Sequence, residues 1–460
     1  MLFSSIPFLY HFLPIVLIVY FLAPKNLRNT VLLLASLIFY GWGEPKLLVL
    51  MVFTIALFFL CGLAIEGAGE GRKKLWLSVS VVISLALLGI FKYADFFIGS
   101  INAVTGLSIP FLRLALPVGI SFYTFQCISY TIDVYRGHVP AQRNPVAFGA
   151  YVALFPQLIA GPIVRYADVA RELEHRKTDW EDVYCGLRRF LAGLAKKVLL
   201  ADNFALLVNL FRESAEPSVL FYWMYALAFT FQIYFDFSGY SDMAIGLGRI
   251  FGFHFIENFN YPYLSKSVTE FWRRWHMSLG SWFRDYVYIP LGGNRVSKGR
   301  WVCNILTVWM LTGAWHGAAW NFVLWGLLYA AFLLMEKWVP QLQRLPAILR
   351  HGYTMLIVVL GFVLFNAASL SQAGGDIAAL FGFGGLPGVT PHTLYCLRSF
   401  AVLFAVACFG ATPVPKKAFS ALENTRFGPV LTLFWMVAAL LMCTAYLVDG
   451  SFSPFLYFRF

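Results

Sequence analysis

The sequence predicts an all-α polytopic membrane protein on three grounds. Of 460 residues, 60% are hydrophobic and 18% aromatic. Only 13% are charged, and the mean hydropathy is +0.70, values that a water-exposed surface does not tolerate. Apolar runs near the length of about 20 residues that crosses a bilayer recur from end to end.

In chain order the runs cover 6–23, 29–43, 47–65, 75–91, 112–134, 147–162, 186–210, 218–236, 302–334, 352–370, 394–411 and 428–448. The run at 302–334 is long enough for two helices. About eleven to thirteen membrane-embedded helices are expected, some of them short or re-entrant. The opening MLFSSIPFLYHF has no basic n-region, and Ala23-Pro24-Lys25 lacks a small-residue cleavage pattern, so the first run reads as an uncleaved span. Lys25 and Arg28, the loop 67–74 and the loop 136–144 follow alternate spans and carry the cations. By the positive-inside rule they face the cytoplasm and the N-terminus faces outward.

The net charge of +12 is scattered over short loops beside spans. That distribution argues against nucleic-acid binding. The seven cysteines form no CxxC pair and lie mostly in apolar runs, as small core residues do, so no metal site is expected. No polar linker separates two halves and neither half echoes the other, which predicts a single membrane domain over 1–460.

The longest polar interruption runs from Asn258 to Arg300. Within it, Ser267-Val268-Thr269-Glu270 has capping-box form, which marks a helix start. Val268, Phe271, Trp272, Trp275, Leu279, Trp282 and Tyr286 then recur at helical spacing, with Arg273, His276, Gly280 and Arg284 on another stripe. An amphipathic helix near 267–289 follows, ended by Ile289-Pro290-Leu291-Gly292-Gly293. Such a helix either lies in the headgroup plane or roofs a cavity and turns Arg273, Arg274 and His276 towards a ligand.

Ionisable groups inside apolar runs face protein, water or a functional cavity, because exposing their charge to hydrocarbon costs several kcal/mol. Gln232, Asp236 and Asp242 interrupt the run FQIYFDFSGYSDMAIG. Pairing with basic residues is the favoured reading for them, with a proton or ion path, and hence a transporter, as the alternative. His316 sits in MLTGAWHGAAWNF, flanked by Gly313, Ala314, Gly317, Ala318 and Ala319, which leave space for a substrate chain or for a close helix. A lone apolar-helix histidine is usually a hydrogen-bonded core residue, but an imidazole so placed can act as a general base on a hydroxyl.

WRRWHMSLGSWFRDYVYIPLGGNR, LTGAWHGAAWNFVLWG with its second histidine forty residues after His276, and the upstream YFDFSGYSDMAIG together resemble the membrane-bound O-acyltransferase family. The likeness is to its bacterial branch that modifies alginate and teichoic acids, and it extends to PVGISFYTFQCISYTIDVYRG and FPQLIAGPIVR. The resemblance implies a ring of tilted helices around a central tunnel, with a cytoplasmic funnel for the acyl donor and an outer opening for the acceptor. It also implies that His316 is the catalytic base and that His276 orients or polarises.

Acetyl-CoA is the donor this resemblance favours, and from their charge Arg273, Arg274 and Arg284 are expected to attract its phosphates. The end SPFLYFRF is similar to a terminal motif whose tyrosine, here Tyr457, is a candidate acyl relay; an aromatic interface belt is the other reading. The acceptor implied is an extracytoplasmic polysaccharide, reached through a periplasmic or cell-surface acetyltransferase partner of hydrolase-like fold. D-alanyl transfer to teichoic acid is the alternative within the family.

Overall fold

In hydrocarbon, backbone N–H and C=O groups find no water, so uninterrupted apolar runs become helices that satisfy those groups internally. The computed structural model describes residues 2–450 and Leu456. Among the described residues there are helices and turns and no strand. Among these residues five helices are both long and apolar enough to cross a membrane: Leu48–Gly67, Glu70–Thr105, Ala347–Asn366, Pro391–Gly410 and Gly428–Asp449. The 302–334 run is two helices, Lys298–His316 and Trp320–Trp338, and all of the 218–236 run but its first residue lies inside the longer helix Val219–Ile250.

Two runs depart from expectation. The run 147–162 breaks at Leu154 into Pro145–Ala153 and Phe155–Leu158. Of 112–134, only the part inside the helix Ile120–Tyr135 is helical. Pro110 and Pro117 each remove a backbone donor, and Gly119 adopts φ +73 with its α-carbon so close to the Leu158 carbonyl that an added Cβ would lie 2.5 Å from that oxygen.

The chain folds into two compact units, Met1–Phe190 with Tyr240–Ile256 and Leu191–Gly239 with Glu257–Phe460. In the first, the rings of Phe3, Phe8, Phe12, Phe39 and Phe155 pack on one another, with Phe12 and Phe155 edge to face at 5.4 Å. Asp242 accepts from Arg189 at 2.9 Å there. In the second, Asp236 and Asp202 share Lys197, at 2.8 and 2.7 Å. Both aspartates of the apolar run are thus ion-paired, as the structural reading expected. Of the cysteines, Cys61, Cys127, Cys396 and Cys443 are buried, whereas Cys303 and Cys408 are exposed and do not belong to a core.

The amphipathic segment corrects the expectation of one continuous helix near 267–289. It forms two short helices, Val268–Arg274 and Met277–Phe283, continued by a wider π-helical turn over Arg284–Tyr288. Between the two, Trp275 is extended and His276 is left-handed, at φ 45 and ψ 52. The preceding segment draws the chain out of helix: Asn260 N–H donates to the Arg274 carbonyl (2.9 Å) and Met277 N–H to the Asn258 carbonyl (3.0 Å). The greasy stripe is buried apart from half-buried Trp272, while Arg273, Gly280 and Arg284 are exposed. Because of the break, His276 leaves that polar stripe and is only 1% exposed.

Candidate active site

The segment carrying His276 is held from both ends. Ser267 Oγ accepts the Glu270 N–H at 2.9 Å, as the capping motif predicts, but the Glu270 carboxylate reaches back to Lys266 N–H and not to that of Ser267. Buried Glu336, on the Trp320–Trp338 helix, supplies the rest of the cap. Its carboxylate accepts Val268 N–H (2.6 Å), Thr269 N–H (3.0 Å) and the Thr269 hydroxyl (2.7 Å). A carboxylate at a helix N-terminus satisfies orphan donors and favours the local dipole. Trp272 then wedges edge-on against Trp309, Trp325 and Tyr329, with ring centroids 4.6, 5.5 and 4.8 Å away.

Left-handed backbone costs a non-glycine residue roughly 1–2 kcal/mol, and the hydrogen bonds around Asn258 offset it. Asn258 Oδ1 accepts Ser278 N–H at 3.2 Å and the Ser278 hydroxyl at 2.9 Å, and lies 3.1 Å from His276 Nδ1. Phe237 meets the imidazole edge-on at 4.6 Å. Burial pushes the pKa of His276 down to about 3, so the ring is neutral at any physiological pH.

His316 is the last residue of the Lys298–His316 helix and is buried. Its ring packs among Trp315, Trp325 and Phe365, with centroids 5.0, 5.2 and 5.4 Å away. The two histidines expected to act together are neighbours, their centroids 6.3 Å apart at 59°. The small residues beside His316 serve a close helix. A Cβ on Gly313 would lie 2.2 Å from the Phe322 carbonyl oxygen, one on Gly317 would strike the Phe322 ring, and one on Gly326 would lie 2.1 Å from the Trp309 carbonyl oxygen. At Gly313 and Gly317, then, Phe322 fills the space offered as room for a substrate.

The three arginines differ. Arg274 pairs with Glu270 at 2.8 Å and Arg284 with Asp285 at 2.7 Å, so their charges are largely met within the chain. Arg273 is exposed and forms no ion pair among the described residues. Tyr457 lies outside the described residues. Its neighbour Leu456 is buried, and the Leu456 N–H donates to Asp236 Oδ2 at 2.8 Å.

Sequence reasoning missed Asn258, Ser278, Glu336 and Phe365. Asn258 and Ser278 are twenty positions apart with no shared period, and Glu336 reads as the ordinary polar end of an apolar helix. The one available signal was Asn258 itself, a polar residue at the very start of the longest polar interruption.

This constellation, two buried histidines in an aromatic setting within a many-helix membrane protein, suits transfer of an acyl group to an oxygen. The chain belongs to the membrane-bound O-acyltransferase family, which matches residues 34–371. It is a multi-pass membrane protein and an O-acyltransferase. Among its relatives, the probable alginate O-acetylase AlgI of Azotobacter vinelandii is 41% identical over 500 residues, covering 100% of each chain. The peptidoglycan O-acetyltransferase of Helicobacter pylori is 35% identical over 429 residues, covering 85% of this chain and 81% of its own. More distant is the teichoic acid D-alanyltransferase of Bacillus subtilis, 30% identical over 271 residues, covering 54% of this chain and 68% of its own.

Proposed function

We propose that this enzyme takes an acetyl group from acetyl-CoA at the cytoplasmic face of the bacterial inner membrane and passes it outward for O-acetylation of an extracytoplasmic polysaccharide such as alginate. The observation that carries the reading is the buried His276–His316 pair, with ring centroids 6.3 Å apart. End-to-end similarity to an alginate O-acetylase supports the acetyl group and the acceptor class, whereas the D-alanyltransferase relative matches only 54% of the chain. Ion pairing of Asp236 and Asp242 supports a structural role for both carboxylates over a proton or ion path.

In this mechanism His316 takes the proton of the acceptor hydroxyl as its oxygen attacks the thioester carbonyl carbon. The carbon–sulfur bond breaks, the ester forms, and the coenzyme A thiolate leaves with the proton returned from the imidazolium. His276 holds the reactants in place from the facing ring. Arg273 is the guanidinium best able to attract the donor's phosphates, since no carboxylate among the described residues pairs with it. On this reading the acetyl group enters from the cytoplasmic side and leaves outward. A periplasmic or cell-surface acetyltransferase of hydrolase-like fold completes esterification of the bulky polymer, and Tyr457 relays the acyl group to it, since a phenol accepts an acyl group once a base removes its proton.

A purified-protein assay with labelled acetyl-CoA tests this. His316→Ala should lower donor hydrolysis and transfer by about 10²–10⁴-fold, the usual worth of a positioned base. Electrogenic ion flux without acyl chemistry would overturn the enzyme reading. His276→Ala should impair transfer less completely than His316→Ala; the reverse order would exchange the two roles. Tyr457→Phe should abolish delivery to the acceptor with folding intact, and unaltered delivery would sink the relay.

A further inference from the structure

The polar atoms around His276 are arranged so that the chemistry of one residue fixes that of the next. A backbone N–H only donates, so the Asn258 atom 3.2 Å from the Ser278 nitrogen is the amide oxygen and not the NH₂. The Ser278 hydroxyl, 2.9 Å from the same oxygen, is consistent with that orientation. Oδ1 cannot donate, so the His276 nitrogen facing it at 3.1 Å must bring the hydrogen. A neutral imidazole carries one N–H, and Nδ1 uses it here, which leaves the lone pair on Nε2.

The geometry points to Asn258, oriented by Ser278, as a positioning residue that locks His276 in the Nδ1–H tautomer, so that His276 meets the substrate as a hydrogen-bond acceptor through Nε2. The inference rests on the reading of His276 as part of the reaction, and it narrows the role. In this tautomer His276 has no hydrogen on Nε2 to give to a thioester carbonyl, so it does not polarise that group. It orients the substrate by accepting a hydrogen bond from a hydroxyl or N–H.

Among the described residues, aromatic rings pack against the imidazole while Asn258 meets its Nδ1. Phe237, from the Val219–Ile250 helix, and Trp315, from the Lys298–His316 helix, face it with rings at 4.6 and 5.9 Å. Among the described residues, the titratable group facing it is His316, 6.3 Å away between centroids. No charged side chain contributes to its depressed pKa, which burial alone accounts for. The left-handed φ of 45 at His276 turns the ring back onto Asn258, and Ser278, two residues on, holds the amide.

The test uses the full-length enzyme in two ways. In protein labelled with ¹⁵N-histidine, the resonances lost in His276→Ala identify this ring; they should show a protonated Nδ1 and a bare Nε2. Asn258→Ala should convert them to a tautomer mixture. A wild-type ring protonated on Nε2, or one unchanged by Asn258→Ala, overturns the inference whatever the activity.

In the kinetic arm, Asn258→Ala should lower kcat by about 10–100-fold, as loss of such an outer partner does in metal sites, with KM little changed. Asn258→Asp keeps an acceptor for both Ser278 donors but sets a negative charge beside Nδ1–H. It should restore most activity at pH 8 and move the acidic limb of kcat up by about 1–3 pH units, as a nearby opposite charge does. A filler of space gives no such shift, so a wild-type pH profile for Asn258→Asp overturns the positioning role. Full activity in His276→Ala instead overturns the reading of the site, and the resonances still report the tautomer.

Discussion

Lys197 holds two carboxylates in a place where none of the three is easily spared. Its side chain is 4% exposed and that of Asp236 3%, so Lys197→Met leaves a buried charge without its partner, an outcome that typically costs 3–5 kcal/mol. Thermal unfolding in detergent should show a large drop in Tm for Lys197→Met and recovery of most of it in Lys197→Met with Asp236→Leu. A single variant as stable as wild type would remove the structural role of the pair. The sequence displayed this aspartate plainly, because a charge in an apolar run stands out. It hid the partner, since Lys197 lies in a run of its own and only the fold brings the two helices side by side. His276 shows the converse limit. Its importance was legible from the segment around it, but its burial was not, because helical periodicity put it with exposed Arg273, Gly280 and Arg284 and gave no sign of a left-handed residue.

At the scale of elements, the hairpin of Lys298–His316 and Trp320–Trp338 depends on glycines that allow backbone against backbone. Gly326→Ala brings a Cβ to within 2.1 Å of the Trp309 carbonyl oxygen and should destabilise the protein by about 1–3 kcal/mol, the usual range for overpacking. Gly352→Ala, where nothing lies within 4 Å, should be neutral or slightly stabilising by helix propensity. Equal Tm values for the two variants would show that the close approach is not needed. Apolar run length predicted this pair of helices correctly, because length is what a bilayer imposes. It misjudged 112–134, where Pro117, with Pro110 just before the run, and left-handed Gly119 outweigh hydropathy. Helical periodicity in turn joined the two short helices about His276, which separate because a distant segment at 258–260 competes for their backbone hydrogen bonds.

For the whole molecule, composition fixes the class and the charge pattern fixes the expected orientation. In a variant otherwise free of cysteine, Gly71→Cys should resist an impermeant maleimide in intact spheroplasts and react once they are lysed; labelling before lysis would invert the topology. Hydropathy was enough to expect many helices because it reports the solvent around the chain. The joint placement of Asn258, His276, Ser278 and His316 is a matter of tertiary geometry, which no local pattern encodes, and only the motif likeness pointed to two of those four.

The left-handed backbone at 276 has a consequence for how this position varies. Any allele there passes two sieves in succession. The first is conformational and blind to chemistry: asparagine, aspartate and glycine accept a φ of 45 readily, while valine, isoleucine and threonine strain against it. The second is functional and asks for an acceptor atom at the right height. In a saturation library scored for both abundance and transfer, the β-branched alleles should vanish from the abundance count, whereas glycine and asparagine should persist there and separate only in transfer. Drift at this site is therefore channelled towards small polar side chains before selection on catalysis begins.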